Sequence, residues 1–217
     1  MIKILLVDDH DLVRLGIKKL LSDIKGFEIV GEAKSGEEAI DKVSKLKPHV
    51  VLMDVNMPGM GGLEATKRIV KQFTKVKVLI VTVYGDEPYP SRVLQAGATG
   101  YMTKGAGVEE MVQAINNVFS GKRYLSPEVA QQLALKHLTH QDESPFESLS
   151  ERELQVLIMI TSGQKVQEIA DQLYLSPKTV NSYRYRLFEK LSVDTDVELT
   201  HLAIRHKLIA MEVDELR

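Results

Sequence analysis

The 217-residue sequence contains no cysteine. Disulfides, thiol nucleophiles and thiolate-bearing zinc or iron–sulfur sites are therefore excluded. A cysteine-free chain is expected in the cytoplasm, where disulfides have little role. No apolar run approaches the roughly 18 residues that a membrane span needs, so no membrane association is expected. The opening residues Met1-Ile2-Lys3-Ile4 run directly into a strand-like segment. They lack the charged, apolar and small-residue series of a signal peptide, and none is expected. A dominant charge of one sign is also missing. The 28 Lys and Arg residues face 30 Asp and Glu, for a net charge of −2. Overall charge thus lends no support to nucleic-acid binding, which must be argued from local features.

What is present is a chain long enough for two small domains. In the first half, short apolar runs alternate with segments of helical periodicity. Ile2–Val7, Glu28–Gly31, Val50–Met53, Val78–Thr82 and Thr99–Tyr101 read as strands. Leu12–Leu21, Glu37–Leu46, Leu63–Gln72, Pro90–Ala96 and Val108–Phe119 carry apolar residues at helical spacing. Strands and helices in strict alternation predict an α/β fold, with a five-stranded parallel sheet covered on both faces. The pattern changes after Tyr124. Ser126-Pro127 predicts a helix start, and the helix runs to about Leu138. The polar stretch Thr139–Pro145 is the best linker candidate. From Leu149 onward every apolar pattern is helical. The expected division is residues 1–122, a linker with a short helix over 123–146, and a small all-α domain over 147–217.

Polar residues collect at the strand ends of the first domain. Asp8 and Asp9 follow the first strand and Asp54 the third; Thr82 ends the fourth, and Lys104 follows the fifth. In an open parallel sheet, these C-terminal ends converge on the crevice where ligands bind. Three carboxylates in one crevice repel each other and call for a cation. Mg²⁺, a hard ion that prefers oxygen and keeps several waters, suits them. A carboxylate can also attack phosphorus to form an aspartyl phosphate, and Asp54 is the best candidate nucleophile. Lys104 and the metal would neutralise the transferring group, and the Thr82 hydroxyl could hydrogen-bond it. Each residue alone has an ordinary alternative: Asp8-Asp9 as a helix cap, and Tyr101 as a half-buried strand aromatic. Their joint placement favours the functional reading.

Asp8-Asp9, Asp54 with Met57-Pro58-Gly59, Thr82, and Tyr101 three residues before Lys104 closely resemble the receiver of two-component response regulators. The resemblance covers residues 1 to about 122 and implies a doubly wound sheet of order 2-1-3-4-5. It implies Asp54 as the phosphoacceptor and Mg²⁺ bound by Asp9, Asp54 and the Asn56 backbone carbonyl, with Asp8 acting through water. It implies Lys104 as a phosphoryl contact, and Thr82 and Tyr101 as a switch pair in which the ring swings inward. Gly105 stands where many receivers have proline, so a cis peptide after Lys104 is less expected.

The second domain opens with a capping box, Ser150 with Glu153 three residues on. Leu154, Leu157, Ile158 and Thr161 continue that helix, and Gly163 is expected just past its end. Val166–Leu173 predicts a second helix, Tyr174-Leu175 a turn, and Ser176-Pro177 the start of a third. Two short helices joined by a tight turn have the geometry of a helix-turn-helix. In the third helix Val180, Tyr183, Leu187 and Leu191 share one face, and Lys178, Asn181, Ser182, Tyr185 and Glu189 lie mostly on the other. Charge alone does not decide for DNA: residues 147–217 hold nine Lys and Arg against twelve Asp and Glu. Only the stretch 178–190 is locally basic.

Leu149-Ser150-x-Arg152-Glu153, Glu168-Ile169-Ala170, Leu175-Ser176-Pro177-Lys178-Thr179-Val180 and Lys190-Leu191 resemble a LuxR-type helix-turn-helix over about residues 147–207. With the receiver, this identifies the chain as similar to the NarL/FixJ class. The stretches 177–186 and 101–107 resemble the GacA/UvrY/LetA group. The resemblance implies a phosphorylation-controlled transcription regulator. Its partners would be a sensor histidine kinase, promoter DNA bearing an inverted repeat, and a second copy of the chain once phosphorylated. Asn181, Ser182 and Tyr185 would face bases; Lys178, Thr179, Arg184 and Arg186 would face phosphates. The last helix, about Asp196–His206, would form the dimer contact. Two alternatives stay open on the residues alone: a phosphotransfer enzyme using Asp54, and a switch whose helical domain binds protein. No metal site is expected among the six histidines, of which only His137 and His140 stand at helical spacing.

Overall fold

The structure is a computed structural model that describes residues 1–83, 89–139, 145–206, 208 and 209, without the side chains of 136–139. The expected linker stretch Thr139–Pro145 lies mostly outside these residues, as do the side chains of His137 and His140. The described residues fall into two compact units, one ending in the helix after Ser126 and the other starting at Pro145.

The first unit runs β1 (Ile2–Val7), α1 (Asp11–Ser22), β2 (Phe27–Ala33), α2 (Gly36–Leu46), β3 (Val50–Met53), α3 (Gly62–Gln72), β4 (Lys77–Thr82), α4 (Tyr89–Gln95), β5 (Gly100–Thr103), α5 (Val108–Phe119), β6 (Tyr124–Leu125) and α6 (Pro127–Thr139). All strand pairs are parallel, in the order β2-β1-β3-β4-β5-β6. The expected five-stranded order is present, and β6 adds a sixth strand. Two residues of β6 carry too little pattern to read as a strand; pairing of Gly100 with Tyr124 and Tyr101 with Leu125 defines it. β3 is buried along its whole length, as a central strand covered on both faces must be. On one face Ile4, Leu6, Leu52, Leu79, Val81 and Met102 pack with Leu21 of α1 and with Met111, Ala114, Ile115 and Val118 of α5.

Register places the site. Val7 pairs with Met53, Met53 with Ile80, and Thr82 with Thr103. The next residues, Asp8, Asp54 and Lys104, therefore leave the sheet at one edge beside Thr82. Asp54 N donates to Val7 O at 2.8 Å, and Lys104 N donates to Thr82 O at 2.7 Å. The loop after Asp54 is closed by Gly62 at the start of α3, whose N–H donates to Val55 O at 2.8 Å. A Cβ on Gly62 would sit 1.8 Å from Asp54 O. Gly62→Ala must push this backbone apart. It is expected to cost about 3 kcal/mol, the upper end of overpacking penalties, read as a lowered midpoint in denaturant.

The second unit holds a 3₁₀ turn (Pro145–Ser148), α7 (Glu151–Thr161), α8 (Val166–Leu173), α9 (Pro177–Leu191) and α10 (Asp196–Arg205). The capping box at Ser150 and Glu153 forms as expected. Gly163 follows α7 at φ 79°, and Gln164 N returns to Met159 O at 3.1 Å, which closes the helix end. Tyr174 adopts a left-handed conformation (φ 54°) in the turn between α8 and α9. Ser176 caps α9 by accepting from Thr179 N at 3.1 Å. Of the face that spacing predicts, Val180, Leu187 and Leu191 are buried and Tyr183 is half-buried. No helix among the described residues is long and apolar enough to cross a membrane.

Candidate phosphoryl site and nucleic-acid interface

Asp8 and Asp54 are buried, at 3% and 4% exposure. Lys104 Nζ bridges them, 2.7 Å from Asp8 Oδ2 and 2.8 Å from Asp54 Oδ2. The other oxygen of each is held by backbone. Val55 N donates to Asp54 Oδ1 at 2.8 Å, and His10 N donates to Asp8 Oδ1 at 2.8 Å. Burial drives the Asp54 pKa above the ordinary carboxylate value; Lys104 pulls against it without cancelling it, and Asp8 adds to the upward push. For Lys104 burial acts downward, but Asp54 and Asp8 outweigh it and hold the amine protonated.

Asp9 joins the cluster from the same turn. Its Oδ1 lies 3.0 Å from His10 Nδ1 but out of line for a hydrogen bond, and this buried oxygen has no hydrogen-bond partner. Ligand atoms of Asp8, Asp9, His10 and Asp54 all lie within 4.8 Å of one another. Three carboxylates against one lysine, with an orphaned oxygen among them, fit a divalent cation. His10 was not singled out by the sequence, although its place directly after Asp8-Asp9 was the available signal. Thr82 and Tyr101 are fully buried. Tyr101 lies deeper than the half-buried position expected of a plain strand aromatic, with its ring in the core.

In the second unit α9 presents Lys178, Ser182, Tyr185 and Arg186 to solvent, while Thr179 and Asn181 are half-buried. Tyr185 is 65% exposed, a large aromatic left uncovered at the helix surface. Arg184, expected at a phosphate, is held in a two-pronged pair: Nε to Asp196 Oδ1 at 2.7 Å and Nη2 to Asp196 Oδ2 at 2.6 Å. Its guanidinium also lies 5.4 Å from the Phe188 ring centroid. Distance in sequence hid this pair, since Asp196 belongs to the next helix. The far end of α9 is fixed by Lys190 Nζ, 2.7 Å from Glu153 Oε2. Burial works against the Glu153 charge, but Lys190 and the Ser150 hydrogen bonds outweigh it and hold its pKa below the usual range. A depressed carboxylate stabilises the fold above its unfolded pKa and loses that contribution as pH falls through the folded one. Glu153→Ala removes the capping box and the ion-pair partner of Lys190, which is partly exposed and keeps Ser148 O. It should lower stability by about 1–2 kcal/mol near neutral pH and flatten the acid limb of the stability–pH curve, both read by thermal unfolding.

Residues 4–116 match the family model for the response regulator receiver domain, and residues 147–203 match the model for bacterial regulatory proteins of the luxR family. The chain belongs to the response regulators. It is similar to the response regulator GacA of Pseudomonas aeruginosa, with 60% identity covering 96% of this chain and 98% of that one. It is 57% identical to the response regulator UvrY of Escherichia coli, over 98% of each chain. Among solved structures, the RcsB response regulator of Salmonella typhimurium superposes with a TM-score of 0.68 at 27% identity, over 92% of this chain and 95% of that one. A structure of RcsB bound to the promoter rprA in the presence of the phosphomimetic BeF₃⁻ gives a TM-score of 0.66 at 27% identity, over 93% of this chain and 98% of that one. This response regulator is a two-component, phosphorylation-dependent transcription regulator with a LuxR-type DNA-binding domain.

Proposed function

We propose that a sensor histidine kinase delivers a phosphoryl group to Asp54 and that the phosphorylated chain binds promoter DNA as a dimer. The observation that carries the first step is the buried bridge of Lys104 between Asp8 and Asp54. An Asp54 carboxylate oxygen attacks phosphorus as the bond to the kinase imidazole nitrogen breaks, and the nitrogen keeps the electron pair. Lys104 then offsets charge on the new acyl phosphate. Mg²⁺ held by Asp9, Asp54 and the Asn56 backbone carbonyl, with Asp8 through water, would neutralise the carboxylates and the incoming group. Thr82, at the same sheet edge, accepts the role of hydroxyl donor to the phosphoryl oxygens. Tyr101, on the same strand pair, reports the change to the face of α4, β5 and α5. The proposed division is a receiver over 1–122, a linker over 123–146 and the output domain over 147–217.

On DNA, the start of α9 enters the major groove. Asn181, Ser182 and Tyr185 face base edges, and Lys178, Thr179 and Arg186 face phosphates. Arg184 reaches a phosphate only with the N–H groups that Asp196 leaves, so its first task is to fix α9 against α10. A dimer through α10 binds an inverted repeat, and the setting is the cytoplasm. The proposal is tested by selecting from a randomised duplex library with the full chain, Mg²⁺ and a small phosphoryl donor. One pseudo-palindromic sequence should be enriched only with donor. No enrichment in any condition would leave a protein-binding output, the reading kept alive by the acidic balance of residues 147–217.

A further inference from the structure

Arg14 is the fourth residue of α1, yet its side chain is only 8% exposed. A buried guanidinium is costly unless each donor finds a partner. Its Nη1 donates to the backbone carbonyl of Asp8 at 2.7 Å. Its Nη2 is bonded to Asp11 at the start of α1. Its Nε faces Glu32 Oε2 of β2 at 3.4 Å. The two acids are themselves anchored: Lys18 holds Glu32 at 2.7 Å, and Lys34 holds Asp11 at 2.8 Å. One planar fork therefore ties the end of β1, the start of α1 and the edge strand β2 together. The turn it grips is the one that carries Asp8 and Asp9.

We propose that Arg14 is a positioning residue for the cation and phosphoryl site, setting the Asp8-Asp9 turn through the Asp8 carbonyl without touching metal or phosphoryl group itself. The inference rests on the reading of the acidic cluster as a metal site. Three features favour positioning over general support. The Asp8 carbonyl stands at the strand's end, and the strand's last ladder bond on that side is Asp8 N to Ala33 O at 3.1 Å. Arg14 holds the Asp8 carbonyl, so the two peptide planes that flank the Asp8 Cα are each anchored, one by Ala33 O and the other by Arg14. The Asp8 side chain is then aimed by His10 N and Lys104, both of which depend on where those planes set the Cα. Groups of this kind, one step removed from the ligands, typically change metal affinity roughly tenfold or more when removed. Arg suits the task where Lys would not, because a single ammonium cannot span a carbonyl and two carboxylates in fixed directions.

The test uses the full chain and Mn²⁺ alone, with free ion followed by electron paramagnetic resonance. Arg14→Gln is expected to weaken Mn²⁺ binding roughly tenfold. Arg14→Lys should recover part of that loss, and Glu32→Gln, which removes an anchor but keeps the arginine, should fall between. With a small phosphoryl donor, Arg14→Gln should raise the half-saturating Mg²⁺ concentration more than it lowers the rate at saturating Mg²⁺. A merely structural arginine would lower the thermal midpoint and leave Mn²⁺ affinity unchanged well below it; that result overturns the proposal. If Arg14→Gln does not fold, unchanged affinity in both Arg14→Lys and Glu32→Gln overturns it. Asp9→Asn separates the two levels: if it binds Mn²⁺ as the unaltered chain does, the metal-site reading itself falls, whereas loss in Asp9→Asn without loss in the Arg14 variants sinks only the role of Arg14.

Discussion

Asp54→Asn should abolish phosphoryl loading and, in the same protein, raise the thermal midpoint. The first effect follows from chemistry: an amide oxygen is a poor nucleophile toward phosphorus, and asparagine leaves no carboxylate at the proposed phosphoacceptor position. Incubation with Mg²⁺ and a phosphoryl donor should give no acid-labile phosphate, and donor-dependent DNA binding should vanish with it. The second effect follows from linkage. Burial raises the folded pKa of Asp54 above its unfolded value. A raised carboxylate favours the fold only while it is protonated, and that contribution is lost as pH rises through the folded pKa. Above that pKa the ionised side chain is therefore a net cost relative to its protonated form, offset in part by Lys104. Asparagine removes the charge, keeps the shape and leaves Lys104 its ion pair with Asp8 at 2.7 Å. A midpoint that falls instead would mean that Lys104 more than compensates the burial of Asp54.

On the output domain, Asn181→Ala and Tyr185→Ala are each expected to cost about 1–3 kcal/mol of binding to the selected DNA site and to blur one position of the consensus. Arg186→Ala should behave differently. Its guanidinium lies 5.8 Å from the Tyr183 ring centroid, which steadies it on the exposed surface of the helix. As a phosphate contact it should weaken binding to all sequences alike and reduce the slope of log affinity against log salt by about one. Arg184→Ala is the informative contrast. If its pair with Asp196 is mainly structural, Asp196→Asn should reproduce most of the loss, and the salt slope should barely change. Titrations by fluorescence anisotropy at several salt concentrations separate these outcomes. A uniform loss with unchanged consensus in Asn181→Ala and Tyr185→Ala would remove both from base recognition.

The acidic cluster was legible because it depends on where strands end. An apolar run that stops at Val7 or Met53 marks the sheet edge, and in a parallel sheet every such edge residue meets the others. The same logic found Thr82 and Lys104. The helix-turn-helix was legible because caps are local: Ser150 with Glu153, and Ser176 with Pro177, act within one turn of chain. Helical spacing likewise separated Val180, Leu187 and Leu191 from the exposed face of α9.

Contacts between elements were another matter. Periodicity says that Arg14 is polar on α1, but only the packing of α1 against β2 turns it inward onto the Asp8 carbonyl and Glu32. The Lys190–Glu153 and Arg184–Asp196 pairs join residues of different helices, and no spacing rule connects them. Strand β6, two residues long, exists only because β5 offers an edge for it to pair with. The sequence by itself determined the alternation of elements, the helix ends, and the collection of carboxylates at one edge, because each depends on residues near in the chain or on strand ends. The tertiary structure alone decided which charges are buried and paired, because desolvation and ion pairing depend on distances that close only when the elements pack.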